Sequence, residues 1–196
     1  GRDRVDRMQV NARLRLAAQK QDAVGSTGVA GADGKAVRFS PGSFDRILLD
    51  PPCSAMGQRP LLRWGKSYQD VLDHASYQRH FLRTAARLLR DGGEMVYSTC
   101  TLTAEENEEN VRWALDELPL ELLDARQTAL GESAPLEDCA ALALMGLSGC
   151  GLDEAQRRCV LRFDPRLWDV GFFAARFRKT ARPAEVAGGA PAAPEL

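Results

Sequence analysis

Residues 44–123 predict an α/β protein built on a parallel sheet with crossover helices. Three observations carry that prediction: a short apolar run, FDRILLD at 44–50, halted by Pro51-Pro52; an amphipathic stripe over 74–90; and a second strand at 94–98 followed at once by another amphipathic segment. Strand, helix, strand, helix, strand in that order closes a parallel sheet through helical crossovers. Chemistry in such sheets collects beyond the carboxyl ends of the strands.

The elements follow in chain order. Val5, Met8, Ala12 and Leu16 recur at helical spacing, which predicts a helix over 2–18. The glycines at 25, 28, 31 and 34 have no visible strand leading in or helix leading out, so this stretch reads as a flexible connection rather than a phosphate loop. FDRILLD has the composition of a buried strand, and proline stops it. Tyr77, Phe81, Ala85, Leu88 and Leu89 form the stripe of the 74–90 helix, for which Asp91-Gly92-Gly93 reads as the stop. Thr103 and Glu106 have the spacing of a capping box for a helix over 104–118, with Val111, Ala114, Leu115 and Leu118 as its apolar face. Further strands are expected at 120–123 and 171–177, and a disordered tail rich in Ala, Pro and Gly at 181–196.

Composition narrows the function. The 196 residues carry 26 basic and 27 acidic side chains, which excludes a uniformly basic nucleic-acid coat. Charge is instead segregated. Residues 1–20 hold six basic and two acidic groups, 104–154 hold 13 acidic against two basic, and 156–182 hold eight basic against two acidic. The acidic run reads as a solvated face, and the last segment is the better candidate for an RNA or DNA surface. No apolar run approaches the roughly 20 residues of a membrane span, and no signal peptide is recognisable, so a soluble intracellular protein is expected, with the cytoplasm favoured. Five cysteines without CxxC spacing suggest neither a disulfide framework nor structural zinc. His74 and His80 are too few and wrongly spaced for a metal, and no GxSxG elbow is present.

The informative segments are Asp50-Pro51-Pro52-Cys53-Ser54 and Tyr97-Ser98-Thr99-Cys100-Thr101. Either cysteine alone reads as a small buried hydrophobe. Two at equivalent strand ends, beside a carboxylate and hydroxyls, point to function. Cys139, Cys150 and Cys159 follow no ligand spacing and read as structural, and Trp64 is a packing residue with a possible place beside RNA.

FDRILLDPPCSAMGQRP, YSTCTLTAEENEENV, and RFDP with DVGFFAARF resemble the consecutive motifs of the Sun-domain RNA cytosine-C5 methyltransferases. GQRP and the RVDRMQVNA segment are most similar to the eukaryotic tRNA-modifying subgroup. The resemblance implies a Rossmann-like class I methyltransferase sheet over residues 1–180, S-adenosyl-L-methionine as cofactor, and RNA, with tRNA favoured, as partner. It implies Cys100 as the nucleophile, Cys53 as the group that assists product release, and Asp50 between cofactor and target base. Asp33 is the better match to the adenine-contacting acid of the cofactor pocket, with Asp22 as the second candidate. Aligning RVDRMQVNA with its family helix puts the first strands, the Gly-rich cofactor loop and the ribose-binding acid before Gly1. An N-terminally truncated domain is therefore expected, with FDRILLD left as an apolar edge. Ala55 stands where the family usually has Gly, and Pro51 where Ala is common. A catalytically silent RNA-binding or assembly subunit of the same fold is the rival reading; a DNA cytosine methyltransferase, with its nucleophile in a Pro-Cys motif like Pro52-Cys53, is disfavoured by the motif around Cys100.

Overall fold

The computed structural model describes residues 28–30, 36–60, 65–126 and 143–181. The helix expected over 2–18, Asp22, Asp33, Trp64, Cys139 and residues 182–196 of the expected tail lie outside them. Within the Gly-rich stretch, β1 (Gly28–Ala30) and β2 (Ala36–Arg38) pair antiparallel, Val29 opposite Val37, so part of the expected flexible connection is a short ribbon.

β3 (Phe44–Leu49) is the expected apolar strand, and it pairs parallel with β4 (Leu89–Thr99), Leu49 opposite Tyr97. Between them runs α1 (Tyr68–Leu88), which begins six residues before the start expected at 74. Its start is set by Ser67, whose hydroxyl accepts from the Asp70 amide while the Asp70 carboxylate accepts from the Ser67 amide. That reciprocal pair satisfies two otherwise orphaned donors. The helix gives way directly to β4, so Asp91-Gly92-Gly93 is part of the strand and not a helix stop. The register slips there, from Phe44 opposite Leu89 to Arg46 opposite Glu94, and Gly92 takes φ +72°. A bulge of this kind favours glycine at the left-handed position.

After β4 come α2 (Glu108–Glu117), β5 (Leu120–Leu123), α3 (Glu154–Cys159), β6 (Leu161–Phe163) and β7 (Phe172–Lys179). α3 and β6 have no counterpart in the sequence expectations. The five-stranded sheet has the order β3-β4-β7-β5, with β6 also paired to β7. The expectation of a parallel sheet holds for β3 and β4, and β5 shares their direction. It requires correction for β7, which lies between β4 and β5 and runs antiparallel to both. β7 follows β6 through a connection of only eight residues, too short for a parallel crossover.

β7 alternates: Phe173, Ala175 and Phe177 are buried, and with Met95 and Tyr97 of β4 they meet Phe81, Leu82 and Ala85 of α1 and Val111 and Ala114 of α2 in one core. On the other face Ala174 packs with Leu161, Ala125 and Ala143. β3 is the sheet edge among the described residues, and Leu48 on it is 49% exposed. No helix among the described residues is long and apolar enough to cross a membrane.

Candidate active site

Parallel pairing of β3 and β4 brings their carboxyl ends side by side, and both cysteine segments leave from those ends. Asp50, the first residue past β3, accepts a hydrogen bond from the Ser98 hydroxyl of β4 at 3.4 Å. Three residues further on, the Cys53 sulfur lies 3.3 Å from the Cys100 sulfur, both half-buried and so within reach of a bound molecule. The structure therefore gathers Asp50, Cys53 and Cys100 at one end of the sheet. A basin of about 340 Å³ lined by Arg83, Arg87, Asp91 and Lys179 lies at the opposite end, where β4 begins and β7 finishes.

Two glycines pin the loops together. The Gly57 amide donates to the Cys100 carbonyl at 2.9 Å, and the Gly171 amide donates to the Gly57 carbonyl at 2.7 Å. A Cβ on Gly57 would stand 2.3 Å from the Gly171 oxygen, and one on Gly171 would stand 2.6 Å from Leu102 Cδ2. Only glycine allows that crossing. Ser54 and Thr101 share a hydroxyl hydrogen bond of 2.7 Å, adding a second stitch between the same loops. Ala55 takes φ 61°, the left-handed conformation, in which a Cβ costs about 1 kcal/mol and glycine none. The alanine is thus accommodated at the turn with some strain.

Electrostatically the two sulfurs are unequal. Burial first, then the hydrogen bond and charge of Cys100, push the Cys53 thiol up to about 12. Cys53 stays protonated across the neutral range and can donate its S–H to a Cys100 thiolate. The Lys66 ammonium donates to the Cys53 carbonyl at 3.3 Å.

A buried polar cluster lies directly beneath the loops, and the sequence expectations do not include it. The Glu106 carboxylate accepts from the Ser54 amide at 2.9 Å, from Gln78 Nε2 at 2.8 Å and from the Thr103 hydroxyl at 2.9 Å. The Thr103–Glu106 capping box expected from the spacing is therefore corrected. The two side chains bond to each other while the helix starts later, after Asn107, because the Glu106 carboxylate is already committed to the first cysteine loop. The acidic run is corrected as well: Glu106 and Glu108 are fully buried, not part of a solvated face. Within the basic 156–182 segment Arg162 and, in part, Arg176 turn inward, while Arg158, Arg166 and Arg178 pair at the surface. Arg162 is buried against Glu108, Arg176 and Arg178 pair with Glu94, Arg166 pairs with Asp164, and Arg158 pairs with Glu154. His74 is occupied locally, its Nδ1 bonded to the Asp70 carbonyl, and His80 is exposed.

Comparison with known proteins gives this arrangement its context. The chain is 42% identical over 127 residues to the mouse tRNA (cytosine(72)-C(5))-methyltransferase NSUN6, and 40% identical over 150 residues to the Arabidopsis thaliana rRNA (cytosine-C(5))-methyltransferase NOP2C. These matches cover 65% and 75% of the chain but 24% and 25% of the relatives, so the chain spans about a quarter of their length. Among solved structures, Pyrococcus horikoshii NSun6 with SFG superposes at a TM-score of 0.53 and 36% identity over 69% of this chain and 30% of that one. The sheet is accordingly of the Rossmann-like α/β class. The 16S rRNA methyltransferase RsmB/F family matches residues 3–177, an interval that takes in both cysteine loops, the glycine crossing and all but the last two residues of β7. A match of that extent, with the motif order kept and its two cysteines in contact, means that the chain belongs to the RsmB/F methyltransferase family.

Proposed function

We propose that this chain carries the catalytic centre of an S-adenosyl-L-methionine-dependent RNA cytosine-C5 methyltransferase, with tRNA as substrate and residues 1–180 as part of the catalytic domain. The observation that carries this reading is the 3.3 Å approach of Cys53 and Cys100 at the carboxyl ends of adjacent parallel strands. The GQRP segment after Cys53, similar to the tRNA-modifying subgroup, is what favours tRNA, since relatives named for tRNA and for rRNA are 42% and 40% identical.

Cytosine carbon 5 is a weak nucleophile. Addition of the Cys100 thiolate to carbon 6 turns carbon 5 into an enamine-like centre able to accept a methyl group. Cys53, held as a thiol 3.3 Å away, can hydrogen-bond to the Cys100 thiolate before attack. After methyl transfer a solvent base takes the carbon 5 proton so that the C–S bond can break with Cys100 departing as a thiolate, and Cys53 assists that release by directing its S–H to the departing sulfur. Asp50, oriented by Ser98, can accept from the cytosine exocyclic amine.

S-adenosyl-L-methionine, when bound, supplies the methyl group. The half-buried Asp50 carboxylate beyond the carboxyl end of β3 suits a cofactor at the position usual for such sheets. Asp33, the proposed adenine contact, lies outside the described residues.

Trapping on RNA tests the assignment. Cys100→Ala should abolish the covalent protein–RNA adduct, whereas Cys53→Ala should form it and accumulate it, read as a slow-migrating band on a denaturing gel. Equal loss of adduct in both variants would overturn the division of roles. A silent RNA-binding subunit would instead bind RNA with a steep salt dependence and transfer no methyl group.

A further inference from the structure

Cys53 is bracketed on both sides by a pair of buried side chains from elements remote in sequence. On its N-terminal side, the Pro52 carbonyl accepts from Gln78 Nε2 of α1 at 3.0 Å. On its C-terminal side, the Ser54 amide donates to Glu106 Oε2 at 2.9 Å. Gln78 and Glu106 are joined to each other at 2.8 Å, and both are fully buried. The pair is itself anchored from below. Tyr97 of β4 donates through its hydroxyl toward Gln78 Oε1 at 2.9 Å and the Glu106 carbonyl at 2.6 Å, and Asn110 Nδ2 donates to Gln78 Oε1 at 2.9 Å. Among the described residues no buried side-chain nitrogen or oxygen lacks a partner.

Both peptide groups that flank the Cys53 side chain are therefore fixed by one satisfied network. A network of this kind is rigid because each member's departure leaves a partner unpaired in a low-dielectric interior. The backbone of Cys100 has a different anchor, the Gly57 amide on its carbonyl. The two sulfurs meet because two separate devices hold their backbones, and only one of those devices contains Glu106.

We infer that Glu106 is a positioning residue for Cys53: through the Ser54 amide it sets the Cys53 sulfur against Cys100, and so governs release of the methylated base and not attack on it. This rests on the roles proposed above for the two cysteines. The controlling property is reach, not charge. A glutamine at 106 keeps the acceptor for Ser54 and Gln78 and turns its amide toward Thr103, whose hydroxyl can accept. An aspartate keeps the charge but withdraws the carboxylate by one carbon–carbon bond.

The experiment compares adduct formation and adduct release on RNA in the parent protein, E106Q, E106D and C53A, with thermal unfolding followed in parallel. E106Q should form and release adduct at parental rates. E106D should form adduct at the parental rate but release it about ten- to a hundredfold more slowly, approaching C53A, since a displacement of about 1 Å in a reacting group has effects of that size. Should E106D be too unstable to assay, Q78M, which frees the Pro52 carbonyl on the other flank, should give the same signature. A release defect in E106Q equal to that of E106D would show that charge matters and overturn the inference, as would normal release in folded E106D or Q78M. Failure of C53A to accumulate adduct would instead overturn the cysteine roles, whatever the Glu106 variants do.

Discussion

At Cys53, three influences act in one direction. Loss of water around the sulfur disfavours the anion most, and the neighbouring Cys100 sulfur adds a hydrogen bond and, once ionised, a like charge. The thiol consequently moves from an ordinary 9.0 to about 12. Peptide-resolved alkylation with iodoacetamide measures this directly, because only the thiolate reacts at a useful rate. Cys53 should alkylate slowly at neutral pH, with a midpoint well above 9.0. In Cys100→Ala the sulfur–sulfur contributions vanish while burial remains, so the midpoint should fall but stay on the raised side of 9.0. An unchanged midpoint in that variant would mean that burial alone accounts for the shift. Such a thiol is suited to holding its proton while directing a hydrogen bond to its neighbour's sulfur. That is the division of labour expected if Cys100 attacks and Cys53 assists departure.

Among elements, the junction of α2 and β6 is where charge is committed most heavily. Glu108, in the first turn of α2, receives Arg162 of β6 through Nε at 2.5 Å and Nη2 at 2.9 Å, and both side chains are buried. Arg162 also donates to the Leu102 carbonyl at 3.0 Å, and Glu108 accepts from the Leu147 amide at 2.9 Å. Removing one partner of such a pair leaves a desolvated charge, at a cost of about 3–5 kcal/mol. E108Q and R162M should each lose stability on that scale in urea unfolding, while E108L combined with R162M should recover most of it; purely additive losses would show that the pair is not coupled. This junction also marks where the sequence is hard to read. Glu108 and Arg162 lie 54 positions apart inside segments whose charge density suggests solvent, and only tertiary pairing turns them inward. β3 and β5 were legible because an apolar run bounded by proline or leading from a helix has few alternatives, and parallel pairing alone places the Cys53 and Cys100 loops at the same end of the sheet. The start of α1 was missed because Ser67 and Asp70 precede the apolar stripe, although Ser-x-x-Asp was there to be recognised as a reciprocal cap. Glu106 was visible as a residue but its role was not, since a local capping reading satisfied its spacing. The antiparallel course of β7 was out of reach too, because alternation reports a strand's faces and not its direction.

For the whole molecule, these local environments combine into a stability profile with two differently built limbs. On the acid side, Glu94 is held below its ordinary range first by its hydrogen bond from Arg176, which with Arg178 ties β4 to β7. Asp164 is drawn down to about 2 by Arg166, and Asp45 and Asp70 are lowered by Arg90 and Ser67. A carboxyl whose folded value lies below its unfolded one contributes stability above the unfolded value, and that contribution disappears as pH falls through the folded one. Loss should therefore begin near 4.5, the ordinary value for Glu94, and continue toward about 2, where Asp164 titrates. On the alkaline side the sign reverses. The raised Cys53 and the buried, likewise raised Tyr97 stabilise the fold fully below their ordinary values, 9.0 and 10.0, and this is lost as pH climbs, through about 12 for Cys53. Thermal melting across pH should thus show a plateau between about pH 5 and 9 with a decline on each side. The limbs separate by salt and by mutation. The acid limb rests mainly on exposed or partly exposed ion pairs, so it should shrink in about 1 M salt, where the screening length is roughly 3 Å. The alkaline limb rests on burial and should persist. E94Q should diminish the acid limb alone, and C53S part of the alkaline limb alone; an alkaline decline that survives C53S unchanged would transfer that limb to the other raised groups, Cys150 and Cys159 and the tyrosines headed by buried Tyr97.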